Sequence, residues 1–152
     1  RVWSCLAVVG DYLPVELQLK KTVGRMATYL QAYGDLMVKT NQWNPSYLSK
    51  FRDSEIIKNF QGAIDQKASF QELEVIRELI PNSWLSNAAL GTPKECVNVI
   101  NKQFDLGCDG VILHGVSPQE LLPVVEEYKR QRETKRFSHL PNNPALPPSM
   151  CA

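Results

Sequence analysis

The stretch GCDGVILHGVSPQELL, Gly107 to Leu122, places a histidine where a run of aliphatic residues stops. An unperturbed imidazole titrates near neutral pH, so His114 can exchange a proton there without help. At the end of a strand it is either a hydrogen-bond or proton-transfer group facing a site, or a ring satisfied by a backbone carbonyl at the rim. Two further positions invite an anion. Gly91-Thr92-Pro93 and Gly115-Val116-Ser117-Pro118 each lead into a helix start, with Glu95 or Glu120 three residues after the hydroxyl. Thr92 and Ser117 read as N-caps, the prolines as first helical residues and the glutamates as the return half of a capping box. The amides and the positive dipole end of such a start attract phosphate, and the same residues serve equally well as caps alone. Asp11 is a turn residue or a carboxylate at the mouth of a site. Trp43, in NQWNPSY, either anchors a core or stacks on a ligand. His139 sits in a proline-rich tail and takes no role. The chain holds no glycine-rich nucleotide loop, serine elbow, His-x-x-x-His metal pair or persuasively spaced carboxylate pair.

Three apolar segments must position these groups. VWSCLAVV, Val2 to Val9, is nearly continuously apolar, as a strand buried on both faces in a parallel sheet would be. Gly10-Asp11 ends it. Pro14 opens a helix with the stripe Leu19, Val23, Met26, Ala27 and Leu30, and Gly34 is its expected C-terminal cap. Residues 35–80 read as a helical excursion, with one helix starting at Asn44-Pro45 and another boxed by Ser69 and Glu72. Two units of strand, glycine and capped helix follow, with strands expected at Asn87 to Leu90 and Asp109 to Leu113. Strands alternating with helices at this spacing predict parallel β/α units joined by right-handed crossovers. Residues 1–137 form the expected domain, and residues 138–152 a proline-rich disordered tail.

Composition narrows the classes of function. The chain has 152 residues, 43% hydrophobic and 22% charged, the balance of a soluble globular protein. Seventeen basic against sixteen acidic side chains leave no net field for nucleic acid or membrane. The basic cluster Lys129, Arg130, Arg132, Lys135 and Arg136 reads as a solvated face at a helix end, with phosphate binding as the other use. Four cysteines show no Cys-x-x-Cys spacing; Cys5 and Cys96 read as small buried hydrophobes, and a reducing cytoplasm is expected. No apolar run reaches the ~20 residues that span a bilayer. Arg1 stands inside what looks like a strand, the expected pattern of a piece of a longer chain.

The segment AALGTPKECVNVINKQFDLGCDGVILHGVSPQELLPVVEEYKRQR resembles the C-terminal end of the bacterial luciferase-like monooxygenase superfamily, above all its deazaflavin-using branch. GTP-x-E resembles the turn opening the seventh helix there, and DGVILHG the eighth strand and its exit. YLQAYGDLMVKTNQWN is similar to that family's YL…YG…NGW pattern, with Gln42 where glycine is usual. The likeness runs from about Val2 to Arg132. It implies the C-terminal part of a (β/α)8 TIM barrel, strands six to eight, with coenzyme F-420 (a deazaflavin) or flavin mononucleotide (FMN) at the carboxyl mouth and hydride transfer involving a small organic substrate. By this likeness His114 is the catalytic candidate, and Gly91, Thr92 and Gly115 approach the cofactor; Asp11 and Trp43 are the substrate-side candidates on their own residue types and positions. No metal is expected.

Three strands cannot close a barrel, because tilt and stagger must be shared around about eight. The chain alone is therefore expected to lack activity, and its open edges to recruit a second copy or a complementing N-terminal half. The rival expectation is a non-catalytic half-barrel remnant that pairs with itself or another chain. A third is a phosphate-binding barrel of unrelated chemistry.

Overall fold

The computed structural model describes residues 1–138 and 140; the expected tail, with His139 and Cys151, otherwise lies outside the described residues. Strand β1, Trp3–Gly10, runs through the valine-rich segment. Pro14 then starts α1, Val15–Leu19, which passes through a π turn at Lys20–Gly24 into α2, Arg25–Asn41. The helix does not stop at Gly34. It kinks at Tyr33 (φ −133°, ψ 18°) and continues to Asn41, about two more turns. Gly34 is buried because Leu48 crosses it: a Cβ there would stand 2.6 Å from Leu48 Cδ1. The cap is Gln42 instead, left-handed at φ 55°, ψ 37°.

The excursion is helical, as its stripes require. Asn44 accepts from the Ser46 amide at 3.0 Å and starts α3, Pro45–Asp53. Short helices α4, Glu55–Lys58, and α5, Ile64–Lys67, lead to α6, Phe70–Arg77, boxed by Ser69 and Glu72, and then to α7, Asn82–Leu85. Their apolar sides meet α2 around Leu30, Phe51, Ile64, Leu73, Ile76 and Trp84. Burying each such side chain contributes about 1.5–3 kcal/mol before entropy is charged.

Strand β2, Ala89–Gly91, is followed by α8, Pro93–Asp105; β3, Gly110–His114, is followed by α9, Pro118–Gln131. Both helices open on the expected capping boxes at Thr92 and Ser117. All three strands are parallel, which makes the molecule a mixed α/β fold. Their order, however, is β2-β1-β3. Successive staves of a barrel would put β2 in the middle; here the first strand is central. Leu6 and Val8 pack on the α8–α9 side with Cys96, Val97 and Val124. Val9 and Ala7 face the α1–α2 side instead. Connections lying on opposite faces of a sheet whose first strand is central are the arrangement of a doubly wound sheet. β2 pairs with β1 from Val8 to Gly10 and β3 from Trp3 to Ala7, so each edge of the apolar β1 is paired along part of its length.

Expected burial on both faces of β1 holds only toward its carboxyl end. Trp3 is 57% exposed and Cys5 is exposed, whereas Leu6, Val8 and Val9 are buried. Cys5 is thus not the small buried hydrophobe expected, while Cys96 is. Helices α8 and α9 cover one face along its length, but the helical segment reaches only the carboxyl end of the other. Trp3, Cys5 and Ile112 of β3, the last paired opposite Cys5 and 50% exposed, remain uncovered.

Candidate functional site

His114 is the last residue of β3 and pairs across the sheet with Ala7, so both side chains point to the α2 side. Between sheet and helix lies a cavity of about 370 Å³, bordered by His114, Ala7 and Cys5 below, Arg25, Met26 and Tyr29 from α2, and Trp43, Trp84 and Asn87 at the side. Its size lies within the range of small-molecule sites. Arg25 Nη1 stands 3.3 Å from His114 Nδ1. A guanidinium can only donate, so Nδ1 accepts, and a neutral ring keeps its proton on Nε2. Burial first, and the Arg25 charge second, hold the His114 pKa below its ordinary value. At neutral pH the ring therefore favours the uncharged form, and its Nε2–H, which has no partner among the described residues, is placed to orient or donate to a bound molecule.

Gly115, directly after the histidine, has φ 98°, a conformation that side chains disfavour. A Cβ there would lie 3.5 Å from Arg25 Nη1, an ordinary contact, so the backbone conformation rather than space favours glycine. The Gly115 carbonyl accepts from Lys21 Nζ at 2.8 Å, and Lys21 also lies 3.5 Å from Glu120. Tyr12 Oη donates to the Glu120 carbonyl, closing the β1 and β3 exits against each other.

Trp43 anchors the helical excursion and stands at the cavity wall. Its ring stacks on Trp84 with centroids 4.3 Å apart and planes 10° from parallel, fixing the excursion, and it also borders the cavity. Left-handed Gln42 makes the turn that brings it there; Trp43 N donates to the Val38 carbonyl at 2.9 Å.

The remaining expected residues lie elsewhere. Gly91, at φ 101°, borders a neighbouring cavity of about 360 Å³ with Val9, Gln18 and Asn82, separated from the first by Thr22 and Leu85. Thr92 lies in neither. Its amide donates to Glu95 Oε2 at 2.7 Å, so a phosphate there would have to displace a carboxylate already in place. The Ser117 amide is taken likewise by Glu120 at 2.6 Å. Asp11 is exposed in the turn after β1, its amide donating to the Gly91 carbonyl at 2.9 Å. Neither cavity includes its carboxylate.

Arg25 and Lys21 escaped the sequence reading. A signal was present: Lys21, Arg25 and Tyr29 recur every fourth residue beside the apolar stripe, with no acid among them. The π turn at Lys20–Gly24 adds to it, since such turns often mark functional sites. Among the described residues no group of three or more His, Cys, Asp or Glu could hold a metal, and no helix is long and apolar enough to cross a membrane. No family model, curated protein or solved structure matches the chain. The luciferase-like resemblance rests on its motif residues.

Proposed function

We propose that this chain forms the His114 side of a flavin- or deazaflavin-dependent oxidoreductase site, as the C-terminal part of a luciferase-like protein acting on a small organic substrate. One observation carries the reading: the motif histidine ends a parallel strand at the rim of a ligand-sized cavity, its ring oriented by Arg25. Ligands of parallel α/β sheets meet the carboxyl ends of the strands, where His114 stands. In this reading Arg25 holds Nδ1, Nε2–H orients the substrate, and Trp43 with Met26 keeps water from one wall. FMN or coenzyme F-420, when bound, supplies the hydride chemistry, and the protein supplies position and electrostatics. The flat apolar wall suits one edge of such a ring. The Gly91-Thr92 turn does not suit its phosphate, because Glu95 occupies the Thr92 amide. The free thiols Cys5, Cys96 and Cys108 suit a reducing cytoplasm.

A second reading is favoured by the strand order. A chain that pairs both edges of β1 within three strands, yet leaves Trp3 and Ile112 uncovered, suits a non-catalytic unit that associates with a second copy or another chain. Titration of the purified chain with FMN and with coenzyme F-420, alongside its mass in solution, separates the readings. Saturable cofactor binding that His114→Ala weakens supports the oxidoreductase. A stable dimer with no cofactor binding supports the pairing unit.

A further inference from the structure

From the charge and shape of the His114 cavity we infer that it takes a planar aromatic carboxylate, its carboxylate on the Arg25 guanidinium and its ring against Trp43. The inference rests on reading this cavity as a ligand site and adds the chemical class of the occupant. Two cations, Lys21 and Arg25, border the cavity, and no aspartate or glutamate does. Lys21 is already matched by Glu120. Arg25 is not matched: partly buried, it meets the His114 imidazole nitrogen and forms an ion pair with no carboxylate among the described residues. A half-buried guanidinium lacking an anion is a costly arrangement that a ligand carboxylate relieves, and its planar fork accepts one through two parallel bonds. The walls select the rest of the ligand. Trp43, held flat by Trp84, with Tyr29 beside Met26 and Met37, offers a rigid ring face and polarisable thioethers to a planar aromatic group.

The test titrates the whole chain, by tryptophan fluorescence and calorimetry, with 2-naphthoate, the neutral 2-naphthamide and inorganic phosphate. The expected result is 2-naphthoate binding at least about tenfold tighter than the amide, with phosphate failing to displace it. Arg25→Gln should abolish the tenfold preference while leaving amide binding in place, and Arg52→Gln should leave both unchanged. Arg25→Lys, which retains the charge without the fork, should keep part of the preference and covers the case in which Arg25→Gln does not fold. Equal affinity for acid and amide, displacement by phosphate, no binding of either naphthalene at millimolar concentration, or a preference untouched in folded Arg25 variants would each overturn the inference. Naphthoate binding by a chain that ignores FMN and coenzyme F-420 keeps this inference and removes the oxidoreductase reading. Cofactor binding without a carboxylate preference does the reverse.

Discussion

Arg25 of α2 donates to His114 of β3 across 3.3 Å and 89 positions of sequence, and this contact joins the helical segment to the exit of the sheet. Burial of the ring, and after it the guanidinium charge alongside, discourages the histidine from taking a proton.

His114 should therefore titrate below 6.5 in the folded chain. The unfolded chain takes the proton first, so protonation favours unfolding. The stability this residue contributes is complete above pH 6.5 and is lost as pH falls through that value toward the folded pKa, below which nothing further is lost. Histidine ring resonances followed by NMR should show the low midpoint. Arg25→Gln should raise it only part of the way, since burial is the larger cause. His114→Gln should flatten the fall in the urea midpoint between neutral and mildly acidic pH. A normal midpoint for His114 would contradict the contact.

The thiols should separate by reactivity. Cys5 is exposed on the uncovered face of β1, whereas Cys96 is buried and its pKa is pushed up to about 11 by burial, with Asp11 and Glu95 adding repulsion. The thiolate is the reactive form. Iodoacetamide at mildly alkaline pH should label Cys5 in the native chain and reach Cys96 only after unfolding, as read by peptide mass spectrometry. Rapid native labelling of Cys96 would mean that α8 does not pack on the sheet as described.

Gln42 holds a left-handed conformation that glycine adopts without steric cost. Gln42→Gly should stabilise the chain by about 1 kcal/mol, seen as a higher denaturant midpoint at unchanged slope. Loss of stability would mean that α2 ends elsewhere.

Ser117 accepts from the Glu120 amide at 3.3 Å while Glu120 accepts from the Ser117 amide. Removing such a cap costs about 1 kcal/mol. Ser117→Ala should lower stability by that amount, measured by urea unfolding. It should also weaken ligand binding at the cavity, because Glu120 steadies Lys21 and Lys21 holds the Gly115 carbonyl.

Local structure was legible wherever one segment carries its own instructions. The three capping boxes, the Asn44 cap and the three strands lie within a residue or two of where hydroxyl, proline and glutamate spacing and apolar runs put them. Gly34 misled because its role depends on a neighbour: the absent side chain makes room for Leu48, and only the packing of α3 on α2 reveals that. Cys5 misled for a similar reason. An apolar strand tells how much surface it offers for burial, not whether another element arrives to cover it.

The sequence by itself determined the parallel strands, the helix starts and the placing of His114 at a strand end, because backbone propensity, capping and hydrophobic periodicity act over a few residues. Tertiary structure alone decided that β1 is central, that Arg25 faces His114, that Trp43 stacks on Trp84, and that Gly91 and Asp11 stand outside the same cavity. These are contacts between residues tens of positions apart. They are selected by which edges and faces find partners when the whole chain packs, and no local pattern encodes that competition.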